Sequence, residues 1–247
     1  MKYLKEFSTE NDYLTYRDGA DYLKPNVSLC DDNGGVYYNF TPPPIVYEAV
    51  DLGLPSGTKW AAQNVGARKP SDAGLYFAWG ETQGYSANQV GKGEGKKEFS
   101  WEDYKWSING SDSNFSKYTT TGATLELEDD AAHANMGGDW HMPTYKQFKE
   151  LINTANTTST WTTQDGVNGR LFTSKKDGTK SIFIPAAGSV SSGGVIESTW
   201  SYFWFPELSL RYIDGGQYFY VVPDDFIGGY SDGTSRYNGF SIRGVIG

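Results

Sequence analysis

Apolar residues fall on one helical face most clearly in the segment Tyr145, Phe148, Leu151, Ile152 and Ala155. Thr144 and Gln147, directly after Pro143, supply a capping-box pattern at its start, so the spacing predicts a helix there. A second, shorter helix is expected over Asp129 to Met136. Its carboxylates sit at the positive end, and Gly137-Gly138 stops it. Ser100 with Asp103 predicts a third helical turn around Trp101 to Trp106. Strands are expected at 59–64, 74–79, 181–185, 208–213, 217–222 and 240–245, with Gly and Asn punctuating the intervals between them. Upstream, Thr9 and Asp12 cap a short helix over 11–17. Residues 27–30 and 36–40 then flank Asp31-Asp32-Asn33-Gly34-Gly35 as a hairpin. Thr41-Pro42-Pro43-Pro44 forms an extended spacer, because consecutive prolines fix φ and donate no ladder hydrogen bonds. The expectation is a small helix-hairpin module over 1–44 and an α+β domain over 45–247, with helices attached to irregular antiparallel sheets.

Composition sharpens this picture. Thirty acidic residues against 21 basic ones, in a chain of 247, give a net charge of −9. Nucleic-acid binding is therefore not expected, since it rests on Lys and Arg neutralising phosphates. A single cysteine, Cys30, excludes an intrachain disulfide and a Cys-based zinc site. No apolar run is long enough to insert into a membrane, and Met1 to Ser8 has no apolar stretch after its lysines, so neither insertion nor an export signal is expected.

Residue supply also argues against an enzyme. His133 and His141 lie in no ligand or acid–base pattern, and both read as structural. The neighbouring Asp129 and Asp130 point in different directions on a helix and are explained by its N-terminus. No nucleophile elbow, phosphate loop or dinucleotide fingerprint occurs. Asp31-Asp32-Asn33 and Asp224-Asp225 are the densest acidic spots, and turns account for them more simply than calcium does. No cofactor and no metal are expected.

The positive signal is at the C-terminal end. Thirteen of the 48 residues from Trp200 to Gly247 are aromatic, and all 15 lysines lie at or before Lys180. Tyr and Trp give large contact area at low entropy cost, and Ser, Gly and Asp add adaptable hydrogen bonds, which is the chemistry of recognition surfaces. In Tyr202-Phe203-Trp204-Phe205-Pro206 five bulky residues follow one another. Since alternate strand side chains face opposite sides, these five are not expected all to point inward.

The run Val50 to Ala61, with Asp51-Leu52-Gly53-Leu54-Pro55-Ser56-Gly57-Thr58-Lys59-Trp60 at its centre, resembles the opening of the major-paralogous-domain (FISUMP-type) branch of C-type-lectin-fold proteins. Tyr76 to Thr82, Asp129 to Ala132, Gly137 to Thr144, Ile182 to Gly188, Trp200-Ser201 and Gly239 to Val245 continue the series in order, covering about residues 46 to 246. The Gly137–Thr144 stretch also looks like part of the formylglycine-generating oxidases. Their cysteine pair has no counterpart in this domain, so oxidase activity is not implied. The calcium motifs of sugar-binding C-type lectins are likewise missing.

Within this fold the chain resembles the variable proteins of diversity-generating retroelements, including phage tropism determinants. The resemblance implies a diversified segment from Tyr202 to Asn238 ahead of a fixed closing strand. Adenine-directed mutation of Asn codons ending in a pyrimidine reaches Tyr, Phe, Ser, Asp, Gly and Arg but not Lys, Met, Trp, Glu or Gln. Only Trp204, Glu207 and Gln217 in the segment belong to the excluded set. The implied function is non-enzymatic binding of a cell-surface protein or glycan receptor. Rings of Tyr202, Phe203, Trp204, Phe205, Tyr212, Tyr218, Tyr220, Phe226, Tyr230 and Tyr237 would supply area. Asp224, Asp225, Ser231, Asp232, Thr234 and Arg236 would set polar complementarity. Residues 1–44 look like leader modules that attach to a larger particle, which implies a virion-associated protein, or one released by lysis. The competing expectation is a structural surface or virion subunit, a homo-oligomer with the aromatic face buried between copies. A glycan-degrading enzyme ranks behind both.

Overall fold

The computed structural model describes residues 28–29, 38–39, 44–197, 199–223 and 227–247. The chain divides into two units, Met1–Ile45 and Val46–Gly247. In the first, β1 (Ser28–Leu29) pairs antiparallel with β2 (Tyr38–Asn39), which matches the expected hairpin. The helix expected over 11–17, the turn at 31–35 and the first three residues of the spacer lie outside the described residues.

The second unit is α+β, with small antiparallel sheets and two α-helices among the described residues. α1 (Ala131–Met136) starts at Asp130, whose carboxylate accepts from the His133 N–H at 3.0 Å and from the Met142 N–H at 2.8 Å. One side chain thus caps the helix and ties it to the segment leading into the next. Burial pushes the Asp130 carboxyl above its ordinary range, against the pull of those backbone donors. α2 (Tyr145–Ile152) carries the expected capping box. The Thr144 hydroxyl accepts from the Gln147 N–H, the Gln147 amide oxygen accepts from Thr144, and Phe148 and Leu151 face the core.

The strands depart from the sequence pattern in instructive places. β3 (Ala49–Asp51), β4 (Lys59–Ala61) and β13 (Val245–Ile246) form one sheet in the order β13-β4-β3. The stretches 74–79 and 240–245 contribute mainly bridges, at Tyr76, Phe77, Phe240 and Ser241, and not the full strands expected. β5 (Thr157–Gln164), β6 (Val167–Ser174) and β7 (Ser181–Pro185) form a second sheet, of which only β7 was legible. The β5–β6 turn is Asp165-Gly166, both left-handed at φ 50° and 80°, as a two-residue hairpin with right-handed strand twist requires. β8 (Ser189–Ser191) pairs with β9 (Val195–Glu197). The expected helix around Trp101 is a turn wrapped on the Asp103 carboxylate, which accepts from the N–H groups of Glu98, Phe99 and Ser100.

β10 (Ser201–Leu208), β11 (Gly215–Val221) and β12 (Gly228–Ser235) make the sheet that matters most, ordered β10-β11-β12. The strand expected at 208–213 is instead the end of β10 followed by a turn. There the Ser209 hydroxyl accepts from Arg211 and Tyr212. β10 is buried on both sides, which corrects the expectation for its bulky run. Phe203 and Phe205 join a core with Trp60, Phe148, Phe172 and Phe219, while Trp204 and Leu208 join another with Trp79, Met142 and Phe240. Alternation therefore holds, but each face meets its own core. Trp204 donates to the Phe77 carbonyl at 2.8 Å and Trp79 to the Phe205 carbonyl at 3.0 Å, so both indole N–H groups are satisfied where water is excluded. Arg243, fully buried, donates to the carbonyls of Ala61 and Phe183 at 2.9 and 2.8 Å, and burial lowers its pKa to about 9.

Candidate binding face

The register of β10 with β11 places Tyr202 opposite Tyr220, Phe203 opposite Phe219 and Trp204 opposite Tyr218. Directly opposite residues share a face, so Tyr202, Trp204, Tyr218 and Tyr220 stand on one side and Phe203 and Phe219 on the other. The second side is core. On the first side Trp204 is covered, while Tyr202, Tyr218 and Tyr220 are half-buried. Trp200, two residues before Tyr202 and 38% exposed, lies with its ring centroid 6.0 Å from those of both Tyr202 and Tyr220, its plane 23° from each. Tyr202 and Tyr218 in turn rest against buried Phe240 at 5.3 and 5.2 Å. Four partly accessible rings are thus held against a fixed floor. On β12, Ser231 stands opposite Tyr218 and Gly229 opposite Tyr220.

The other expected contact residues take different places. Phe203, Trp204, Phe205 and Arg236 are at most 1% exposed and position the surface from below without forming it. Arg236 lies with its guanidinium carbon 3.6 Å from the Phe115 ring centroid and donates to the Tyr118 carbonyl at 3.3 Å. Tyr230 is on the opposite face of the sheet from Tyr218, opposite Phe219, with its ring 4.1 Å from Tyr145 of α2. Asp232 braces the β10–β11 turn, accepting from the Leu210 N–H at 3.0 Å and the Ser209 hydroxyl at 3.3 Å. Exposed Tyr212 sits in that turn, at the far end of the sheet from Tyr202. Thr234 accepts from Asn238, and Tyr237 packs edge-on against Trp101 at 4.8 Å. Asp224, Asp225 and Phe226 lie outside the described residues.

Comparison with protein-family models, with curated proteins and with solved structures gives no match for this chain. The candidate face therefore stands on its geometry alone. Trp200 was not among the residues singled out from sequence as contacts. Its signal was parity, since it lies two positions before Tyr202 and so on the same side of the strand.

Among the described residues one carboxylate cluster, Glu126, Glu128 and Asp129, brings together oxygens suited in number to a cation. The Lys117 ammonium already takes that position, at 2.6, 3.0 and 2.6 Å from the three groups. Burial pushes the Asp129 carboxyl up, but hydrogen bonds from Lys117, Tyr118 and Lys105 more than offset this and hold it below its ordinary range. The same contacts hold the Lys117 ammonium protonated well above its ordinary range. His141 is engaged through Nδ1 with the Met142 carbonyl at 2.9 Å. No helix among the described residues is long and apolar enough to cross a membrane.

Proposed function

We propose that the Val46–Gly247 unit is a C-type-lectin-like, non-enzymatic binding domain whose outer β10–β11–β12 face takes a cell-surface receptor. The observation that carries this reading is the accessible ring cluster Trp200, Tyr202, Tyr218 and Tyr220 on a sheet whose other side packs Phe203, Phe205 and Phe219 into the core. Rigid aromatic anchors with a polar neighbour such as Ser231 are what affinity without chemistry requires. Residues 1–44 would attach the protein to a larger particle.

Diversification of this face by a retroelement fits the placement of the three residues that mutated Asn codons do not reach. Trp204 and Gln217 are buried, and Glu207 has a carboxylate oxygen shielded from solvent. Trp204 and Gln217 thus fall at packed positions. Deep sequencing of the gene's 3′ end across a population of source cells or particles tests the proposal. Substitutions should fall at the codons of outward-facing residues such as Tyr202, Tyr218, Tyr220 and Ser231 and spare Phe203, Trp204, Phe205 and Phe219. Variation spread evenly over both classes, or an invariant 3′ end, would remove the diversification reading. In the invariant case, sedimentation decides between a fixed receptor binder and a subunit interface, because the same exposed rings also suit burial between copies.

A further inference from the structure

The Val46–Gly247 unit contains no cysteine, since the single one in the chain is Cys30. No disulfide can form within this unit, so a covalent brace there has to come from other side chains. Its three-stranded sheet β10-β11-β12 ends in β12, which among the described residues pairs with β11 alone.

Tyr230 of β12 meets Tyr145, the first residue of α2. Their ring centroids lie 4.1 Å apart with the planes inclined at 45°, the closest pair of rings among the described residues. The hydroxyls meet as well. Burial pushes the Tyr145 hydroxyl above its ordinary range, and Tyr230 adds to this by charge and by hydrogen bonding. Rings joined at their hydroxyls bring together the edges that carry the carbons ortho to oxygen. Tyr145 also stands edge-on to buried Phe205 at 6.2 Å, while Tyr230 is 49% exposed, so the pair is both positioned and open to solvent. Other tyrosines lack this arrangement. Tyr202, Tyr218 and Tyr220 stand 6.1, 6.3 and 6.5 Å from one another, and exposed Tyr212 has no ring beside it among the described residues.

We propose that Tyr145 and Tyr230 form a site of oxidative cross-linking, where a one-electron oxidant of the haem-peroxidase class, using hydrogen peroxide, joins α2 to β12 through a dityrosine bond. The oxidant takes one electron and the hydroxyl proton from each phenol. The two phenoxyl radicals then form a C–C bond between ortho carbons, and the two ortho hydrogens move to the oxygens to restore both rings. The chain loses two hydrogen atoms, and the peroxide is reduced to two waters. Contact between the rings presents each radical with its partner before it meets any other, which selects this pair. The bond closes the chain from residue 145 to residue 230 and ties the outer strand to the helix, as a disulfide would. It forms on the side of the sheet away from Tyr218 and does not depend on what that outer face binds.

The test treats the full chain, in dilute solution, with a haem peroxidase and one equivalent of hydrogen peroxide, and maps the digest by tandem mass spectrometry. A linked pair of peptides carrying Tyr145 and Tyr230, lighter than their sum by two hydrogen atoms, is expected, with dityrosine fluorescence and no dimer on a denaturing gel. It should exceed any linked pair drawn from Tyr202, Tyr212, Tyr218 and Tyr220 by about ten-fold, an effect of proximity. Tyr145→Phe and Tyr230→Phe each keep the packed ring and should each remove the dityrosine signal, whereas Tyr212→Phe should leave it unchanged. The linked chain should unfold at a Tm about 5–15 °C above that of the untreated chain. The proposal is overturned if linkage falls mainly on other tyrosines or between chains, or if the signal survives Tyr145→Phe or Tyr230→Phe. An unchanged Tm of the linked chain also overturns it, because the bond then braces nothing.

Discussion

Three consecutive residues of β11 offer the sharpest test of the sheet's two-sidedness. Phe219 is fully buried, with its ring centroid 4.3 Å from Phe148, 4.8 Å from Phe203 and 5.2 Å from Phe205. Removing such a ring leaves a cavity that packed neighbours cannot fill, and Phe219→Ala should cost about 3–5 kcal/mol. For a domain of this size that is a fall in Tm of about 6–20 °C. Tyr218 and Tyr220 point the other way and are half-buried, so each replaced by Ala should cost only about 1 kcal/mol, near the centre of the usual range. Scanning calorimetry of the three single variants, with far-ultraviolet circular dichroism to check the fold, reads this directly. The expected order is a large loss for Phe219→Ala and small losses on either side. If Tyr218→Ala or Tyr220→Ala destabilises as much as Phe219→Ala, the outer rings are core and the proposed binding face is lost.

Other positions make independent claims. A Cβ on Gly216 would sit 2.7 Å from Trp79 and 2.9 Å from Trp204, so Gly216→Ala should lose about 1–3 kcal/mol in urea denaturation, and an unchanged midpoint would contradict the placement of both indoles. Lys97 and Glu81 form a 3.0 Å ion pair, each side chain 7% exposed. Lys97→Met alone should therefore cost about 3–5 kcal/mol, and Glu81→Leu added to it should restore most of that, with no recovery counting against a desolvated pair. Burial raises the Glu207 carboxyl above its ordinary value of 4.5, so the folded state binds its proton more tightly than the unfolded chain does. Its charge therefore destabilises at neutral pH, and that penalty disappears as pH falls through the raised pKa toward 4.5. Glu207→Gln should raise Tm near neutrality, with the gain vanishing below the unfolded value, and a gain independent of pH would refute the assignment.

What the sequence disclosed follows the range of the forces involved. α2 was legible because its cap and apolar face are local, with Thr144, Gln147, Phe148 and Leu151 lying within two turns. The β5–β6 hairpin was missed even though Asp165-Gly166 is a strong turn signal, because Thr157 to Gln164 is nearly all hydroxylated and shows no apolar alternation. The double burial of β10 was not legible, since its outer cover comes from Phe77, Trp79 and Phe240, distant in sequence. Arg236 was read as a surface contact for the same reason, its carbonyl partner Tyr118 being 118 positions away. The aromatic enrichment falls on the segment that forms β10, β11 and β12, but which of its rings face outward depends on register, and both strand pairs carry register shifts.

The closing strand has a consequence for how the protein comes into being. Val245 and Ile246 pair with β4, and Arg243 bonds a carbonyl 182 positions earlier, so the first sheet of this unit is completed by residues downstream of β12. Such long-range closure makes for slow folding, with the Trp60 core left open until β13 arrives. It also acts as a check on reading frame. A chain interrupted or frameshifted anywhere between 202 and 238 lacks Arg243 and β13 and is left with an unsealed core, open to proteolysis. Only a chain read in frame through Arg243 and β13 closes the Trp60 core.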